Sequence, residues 1–210
     1  MTGAFGLYLI LTDPIAGYPD CASAAVTCGV RYLQLRMKQS PREKVLQEAV
    51  RIRDITRGTS TLFLVNDDVD IAQEVDADGI HLGQSDMPIP EARRRWIAPG
   101  RQFGLSTHNE EQALNARCVE PDYIGVGPVF PTPTKAAPDP VLGLERMRTI
   151  IASTPLPCVA IGGIHSGNLI DVLRHGAMNF CVVRAVNQSP DPVTAIRELQ
   201  AIWQQHVGRR

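Results

Sequence analysis

The sequence predicts an α/β fold in which eight parallel strands alternate with helices and close into a single-domain (β/α)8 barrel over residues 1–210. Apolar, β-rich runs and stretches of helical spacing take turns along the chain, and the pair recurs eight times. Runs such as Thr61-Leu-Phe-Leu-Val65 are apolar without interruption, as strands covered on both faces of a parallel sheet must be. A doubly wound open sheet is the rival architecture, but eight units close naturally, on a chain near the short end for such barrels.

Each element has a local reason. The first strand, Leu7–Leu11, stops at Thr12-Asp13-Pro14, and helical spacing follows over Ala22–Cys28. The second strand is Tyr32–Leu35; its helix, Pro41–Arg57, opens on Ser40-Pro41 as cap and first-turn proline and stops at Gly58. Thr61–Val65 leads to Val69–Val75, and Gly79–Leu82 leads to Ile89–Ile97 with Gly100 as its stop. Gln102–Leu105 precedes a helix over Asn109–Val119, where Thr107-His-Asn-Glu110 has capping-box spacing and takes in His108. The sixth strand is predicted over Tyr123–Val129 and its helix over Leu144–Ala152. Between them Phe130 to Gly143, with four prolines, is long enough to be a functional loop that covers a substrate. Cys158–Ile161 with Leu169–His175 and its stop Gly176, then Phe180–Val183 with Val193–Val207, complete the set.

Composition narrows the function classes. Lys and Arg number 21 against 22 Asp and Glu, so no overall charge draws the chain to nucleic acid or an anionic membrane. The five cysteines form no C-x-x-C pair and read as reduced thiols packed inside. The apolar run near the N-terminus has no basic region ahead of it and is far too short to span a membrane. A cytoplasmic protein with small-molecule substrates is expected; the oligomeric state is not readable.

Three polar clusters sit where strands hand over to helices, the place where parallel α/β proteins keep their chemistry. Gln34, Arg36 and Lys38 share one face of the second strand, and their fork and point charge suit a diphosphate. Asp67 and Asp86 end the third and fourth strands, neighbours in a barrel, and two hard oxygen ligands there suit Mg²⁺. Asp68 reads as the cap of the helix at Val69. Ile161-Gly-Gly-Ile164 makes a glycine turn after the seventh strand, where barrels bind phosphate through backbone amides. Thr132-Pro-Thr-Lys135 on the long loop suits an anionic group and a plain exposed turn equally well. Arg93-Arg-Arg95 reads as a solvated helix face and His81 as a satisfied core histidine. No nucleophile elbow, zinc spacing or Walker motif is present.

In order and spacing, Tyr32-Leu-Gln-Leu-Arg-Met-Lys38, Val65-Asn-Asp67, Asp78-Gly-Ile-His-Leu-Gly-Gln-Ser-Asp-Met-Pro88, Gly104-Leu-Ser-Thr-His108, Tyr123 to Lys135 and Val159-Ala-Ile-Gly-Gly-Ile164 form one set. Over about Leu7 to Val186 the chain resembles the thiamine phosphate synthase (thiamine-phosphate pyrophosphorylase) family. The resemblance implies a TIM-barrel transferase that joins a pyrimidine diphosphate to a thiazole phosphate, giving thiamine phosphate and pyrophosphate. It implies that Gln34, Leu35, Arg36, Met37, Lys38, Asn66, Ser106 and Lys135 contact the pyrimidine diphosphate, with Arg36, Lys38 and Lys135 catalytic. It also implies that Asp67 and Asp86 hold Mg²⁺, and that Thr132, Pro133, Thr134, Gly163, Val183 and Arg184 engage the thiazole phosphate.

Three positions depart from the family pattern. Arg184 stands where a small hydroxyl residue is usual, Met37 where glutamate is frequent, and Asp68 where a basic residue is common. Alternative readings are a thiazole tautomerase on the same barrel, which needs a base but no diphosphate or metal grip, and a non-catalytic binder of thiamine precursors.

Overall fold

The structure is a computed structural model and describes residues 4–134 and 139–208. In chain order its elements are β1 (Gly6–Leu11), α1 (Tyr18–Thr27), β2 (Tyr32–Leu35), α2 (Arg42–Thr56), β3 (Leu62–Asn66), α3 (Val69–Glu74), β4 (Gly79–Leu82) and α4 (Ile89–Arg95). There follow β5 (Gln102–Thr107), α5 (Glu110–Val119), β6 (Tyr123–Val126), α6 (Gly143–Ser153), β7 (Cys158–Ile161), α7 (Leu169–Arg174), β8 (Asn179–Val182), α8 (Arg184–Asn187) and α9 (Pro192–Val207). All eight strands pair in parallel in sequence order, and β8 pairs with β1, so the closed barrel replaces the open-sheet alternative.

Strand alternation sorts the side chains into two cores. Leu7, Leu9 and Leu11 of β1 and Leu33 and Leu35 of β2 face outward, into an apolar layer shared with the helices. Tyr8, Ile10, Tyr32, Leu64, Tyr123, Val159 and Cys181 face inward and fill the barrel. Burying each such large side chain stabilises the fold by roughly 1.5–3 kcal/mol.

The seam between the last strand and the first is held by two asparagines. At the amino end, Asn179 Oδ1 accepts from the amides of Phe5 at 2.7 Å and Gly6 at 3.2 Å. At the carboxyl end, Asn187 Nδ2 donates to Ile10 O at 2.8 Å, while its Oδ1 accepts from Thr12 N at 2.9 Å. The amino rim also pairs acids with backbone and arginine: Asp78 Oδ2 accepts from Phe63 N and from Arg53, both at 2.8 Å.

Several boundaries differ from expectation. The sixth strand ends at Val126 rather than Val129, because Pro128 has no N–H to give the ladder. Helix α1 begins at Tyr18, four residues early, with a proline in its first turn, and α8 is an additional short helix. Ser40 does not cap α2, whose N-cap is Pro41 without a side-chain bond. Asn109, not Thr107, caps α5 by accepting from Gln112 N at 2.8 Å. Cys21 and Cys181 are buried, but Cys118 is exposed; all five thiols are free. Arg93 and Arg95 pair with Asp122 and Asp70 rather than standing merely solvated. Among the described residues no helix is long and apolar enough to cross a membrane.

Candidate active site

The carboxyl ends of the strands carry the site, and β2 sets its first side. Gln34 is buried inside the barrel and donates from Nε2 to the Tyr8 hydroxyl at 3.1 Å. Two residues on, Arg36 donates its amide to Leu11 O at 2.9 Å and its carbonyl accepts from Thr12 Oγ1 at 3.0 Å. Its guanidinium lines the main cavity. Burial draws that group down from its ordinary value while Asp67 and Asp86 oppose the change, and an arginine so placed stays charged. Leu35 and Met37 alternate to the outer side, where their side chains join the apolar layer under the helices. Only their backbone can meet a ligand.

The acids stand opposite. Asp67 follows β3 with φ 56°, a left-handed conformation that few residues other than glycine adopt, and its amide donates to His81 O at 2.9 Å. Asp86 closes its own turn, since Oδ2 accepts from Gly83 N at 2.6 Å. Lys38 Nζ then lies 2.9 Å from Asp67 Oδ2 and 3.7 Å from Asp86 Oδ1. Two acids from adjacent strands thus meet one ammonium. Asp68 takes no part and caps α3, accepting from Ile71 N at 2.9 Å.

This donor set fits a hard divalent cation. Two carboxylates beside open solvent leave coordination positions for waters and ligand oxygens, as Mg²⁺ prefers, and the Lys38 ammonium marks where positive charge is held. Among the described residues no group of three His, Cys, Asp or Glu side chains gathers for a metal. Such an ion would therefore depend on its ligand for further oxygens. Asn66, next to Asp67, has a buried Nδ2 with no partner among the described residues.

A cavity of about 600 Å³ opens beside this cluster, lined by Arg36, Ser106, Thr132, Pro133 and Thr134 and, across from them, by Gly163, Val183 and Arg184. The Thr132 and Thr134 hydroxyl oxygens lie 3.1 Å apart. At Gly163, φ is 65° and a Cβ would come within 2.7 Å of Pro131 O, so only glycine lets the turn pack against the long loop. Lys135 lies outside the described residues, as does part of the loop that was expected to cover a substrate.

The structure makes His81 the satisfied interior histidine expected from the sequence and adds polar groups that sequence reasoning passed over. Tyr8, Tyr123 and His81 are joined by hydrogen bonds inside the barrel, from Gln34 at one end to Ser106 at the other. His108 does belong to the cap of α5, its amide donating to Gln112 Oε1 at 2.7 Å, while its ring lines the cavity, with Nδ1 2.7 Å from Gly127 O and Nε2 3.4 Å from Asp139. His165 and Gln188 line it too. The alternation of His81 with Leu82 is the only sequence signal for any of these.

A (β/α)8 barrel that gathers cations, carboxylates and a glycine turn around one cavity at the carboxyl ends of its strands has the layout of a barrel enzyme. The model of the thiamine monophosphate synthase family matches residues 7–186, and the chain belongs to that family. It is 42% identical over 179 residues to the thiamine-phosphate synthase of Chloroflexus aurantiacus, covering 85% of this chain and 82% of that one. With the thiamine-phosphate synthase of Archaeoglobus fulgidus it shares 42% identity over 191 residues, 90% of this chain and 89% of the relative. A solved thiamine phosphate pyrophosphorylase from Pyrococcus furiosus superposes with a TM-score of 0.87 at 36% identity, covering 98% of each chain. The chain is accordingly a transferase of this family.

Proposed function

We propose that the protein joins 4-amino-2-methyl-5-(diphosphooxymethyl)pyrimidine to 4-methyl-5-(2-phosphooxyethyl)thiazole, releasing pyrophosphate, in a cytoplasmic setting. The observation that carries this reading is the meeting of Asp67 and Asp86 on Lys38, with Arg36 beside them at the cavity wall. A site with that charge order accepts a diphosphate bridged to a cation, and the adjoining cavity has room for a second, phosphorylated ring.

In the reaction the bond from the pyrimidine methylene carbon to the diphosphate oxygen breaks, and its electron pair leaves with pyrophosphate. The lone pair of the thiazole nitrogen then forms the new carbon–nitrogen bond. No proton has to be removed from the nucleophile, so the site needs no protein base. Arg36 and Lys38, with Lys135 from beyond the described residues, neutralise the charge that grows on the leaving group. Gln34, Asn66 and Ser106 orient the pyrimidine, aided by the backbone at Leu35 and Met37. Thr132, Pro133, Thr134, Gly163, Val183 and Arg184 hold the thiazole phosphate. Mg²⁺ on Asp67 and Asp86, when bound, supplies further positive charge to the diphosphate.

The test is pyrophosphate release from both substrates, with and without Mg²⁺. Release that requires both the metal and the thiazole phosphate is expected. Isomerisation of a thiazole alone, or no turnover, would overturn the reading.

A further inference from the structure

Five side chains from five strands form one unbroken line of hydrogen bonds through the barrel. Gln34 Nε2 donates to the Tyr8 hydroxyl at 3.1 Å, and the hydroxyl oxygens of Tyr8 and Tyr123 lie 2.8 Å apart. Tyr123 meets His81 Nδ1 at 3.0 Å, and His81 Nε2 meets Ser106 Oγ at 2.9 Å. Gln34, Tyr8 and Tyr123 are 1%, 2% and 1% exposed, so bulk water does not compete for the bonds among these three, while His81 and Ser106 are half-buried toward the cavity.

Counting protons fixes the direction of the whole line. The amide nitrogen of Gln34 can only donate, so Tyr8 accepts there and must pass its own proton to Tyr123. Tyr123 in turn gives its proton to His81 Nδ1. A neutral imidazole that accepts at Nδ1 carries its proton on Nε2, which donates to Ser106. Ser106 keeps its own proton for the cavity it lines. At the opposite end, Gln34 Oε1 is buried with no partner among the described residues.

Gln34, His81 and Ser106 all border a small inner chamber of about 20 Å³ below the main cavity. We propose that Tyr8, Tyr123 and His81 are positioning residues forming a polarity relay, which sets Ser106 as donor and Gln34 Oε1 as acceptor toward whatever ligand edge enters this chamber. Neither end can reverse alone. Turning the Gln34 amide over would reverse both tyrosines, move the imidazole proton to Nδ1 and change Ser106 from donor to acceptor.

The barrel is shaped around the relay. Gly104 lies against it, and a Cβ there would land on the phenol of Tyr123 and within 2.6 Å of His81 Nδ1. Burial, the largest cause, pushes the Tyr8 and Tyr123 hydroxyls well above their ordinary value, so both keep the protons that the relay passes on. Tyr32 packs on the same rings, 5.6 Å from Tyr8 and 6.0 Å from Tyr123 between centroids, but its hydroxyl stands outside the line.

The relay follows from this geometry; that the ligand edge belongs to an aminopyrimidine rests on the proposed function. The decisive measurement therefore uses no substrate: nitrogen-15 NMR of the ligand-free protein labelled at histidine, with the His81 signals assigned by their loss in His81→Asn. The expected result is a proton on Nε2 and none on Nδ1. Tyr123→Phe should yield a mixture of tautomers and raise KM for the pyrimidine diphosphate about tenfold, the loss of one neutral hydrogen bond, whereas Tyr32→Phe should leave both unchanged. A proton on Nδ1 in the unaltered protein, alone or together with Nε2, would overturn the relay. So would a tautomer that ignores Tyr123→Phe, whereas absence of synthase turnover would instead overturn the functional reading.

Discussion

The two rims of the barrel use the same chemistry to opposite ends. At the amino rim, Asp78 accepts from Arg53 and from a backbone amide through one oxygen, and Asp122 does the same with Arg93 and Phe103 N. These acids fasten neighbouring strands and helices. At the carboxyl rim, Asp67 and Asp86 crowd around one lysine that is 43% exposed, and Arg36 approaches from the cavity. There two acids share one half-exposed ammonium, so both signs of charge stay within reach of something that binds. Pairing that is complete stabilises a fold, and pairing that is incomplete prepares a site.

The sharpest way to break this contrast is Asp67→Asn, which removes the charge but tolerates the left-handed backbone. Loss of a ligand for the proposed cation, and with it of charge stabilisation in the transition state, should lower kcat by about 10²–10³-fold. Stability should change by less than about 1 kcal/mol, as for exposed ion pairs. Steady-state pyrophosphate release and a denaturant titration read the two quantities separately. Unchanged turnover would erase the distinction between the rims.

Asp78→Ala should show the reverse. It leaves a buried arginine with only Asp76, 3.6 Å away, and orphans a strand amide, so unfolding in urea should reveal a loss of about 3 kcal/mol. Turnover per folded molecule should stay the same. A large fall in kcat with stability intact would place chemistry at the wrong rim.

A smaller effect belongs to the interior between them. Burial raises the Tyr8 and Tyr123 hydroxyls above 10.0, while the unfolded chain ionises near that value. Their contribution is therefore complete below pH 10 and is lost as pH rises toward the folded values, at about 1.4 kcal/mol per pH unit for each phenol. Melting curves taken through that range should fall more steeply for the unaltered protein than for Tyr8→Phe. Arg94→Ala, at an exposed position of α4, should shift neither activity nor stability beyond about 0.5 kcal/mol.

How much of this was readable in the chain differs by element. Uninterrupted apolar runs announced the strands, because only a doubly covered sheet needs them. The alternation Gln34, Arg36, Lys38 placed those groups on one face, and the strand ends at Asp67 and Asp86 placed two acids together. Pro128 was a visible stop that the apolar pattern outweighed, and α8 is too short to show a period. The line from Gln34 to Ser106 was invisible for a deeper reason. Its members come one from each of five strands, so no spacing within any segment records that they touch.

The two asparagine stitches bind groups 174 and 175 positions apart in the chain. During synthesis, the amides of Phe5, Gly6 and Thr12 emerge from the ribosome long before Asn179 and Asn187 exist to receive them. The exposed edge of β1 must therefore wait, unpaired on one side, until nearly the whole chain has been made. Barrel closure is a late event by construction, and a ribosome stalled before Asn179 would hold an open sheet with a sticky first strand.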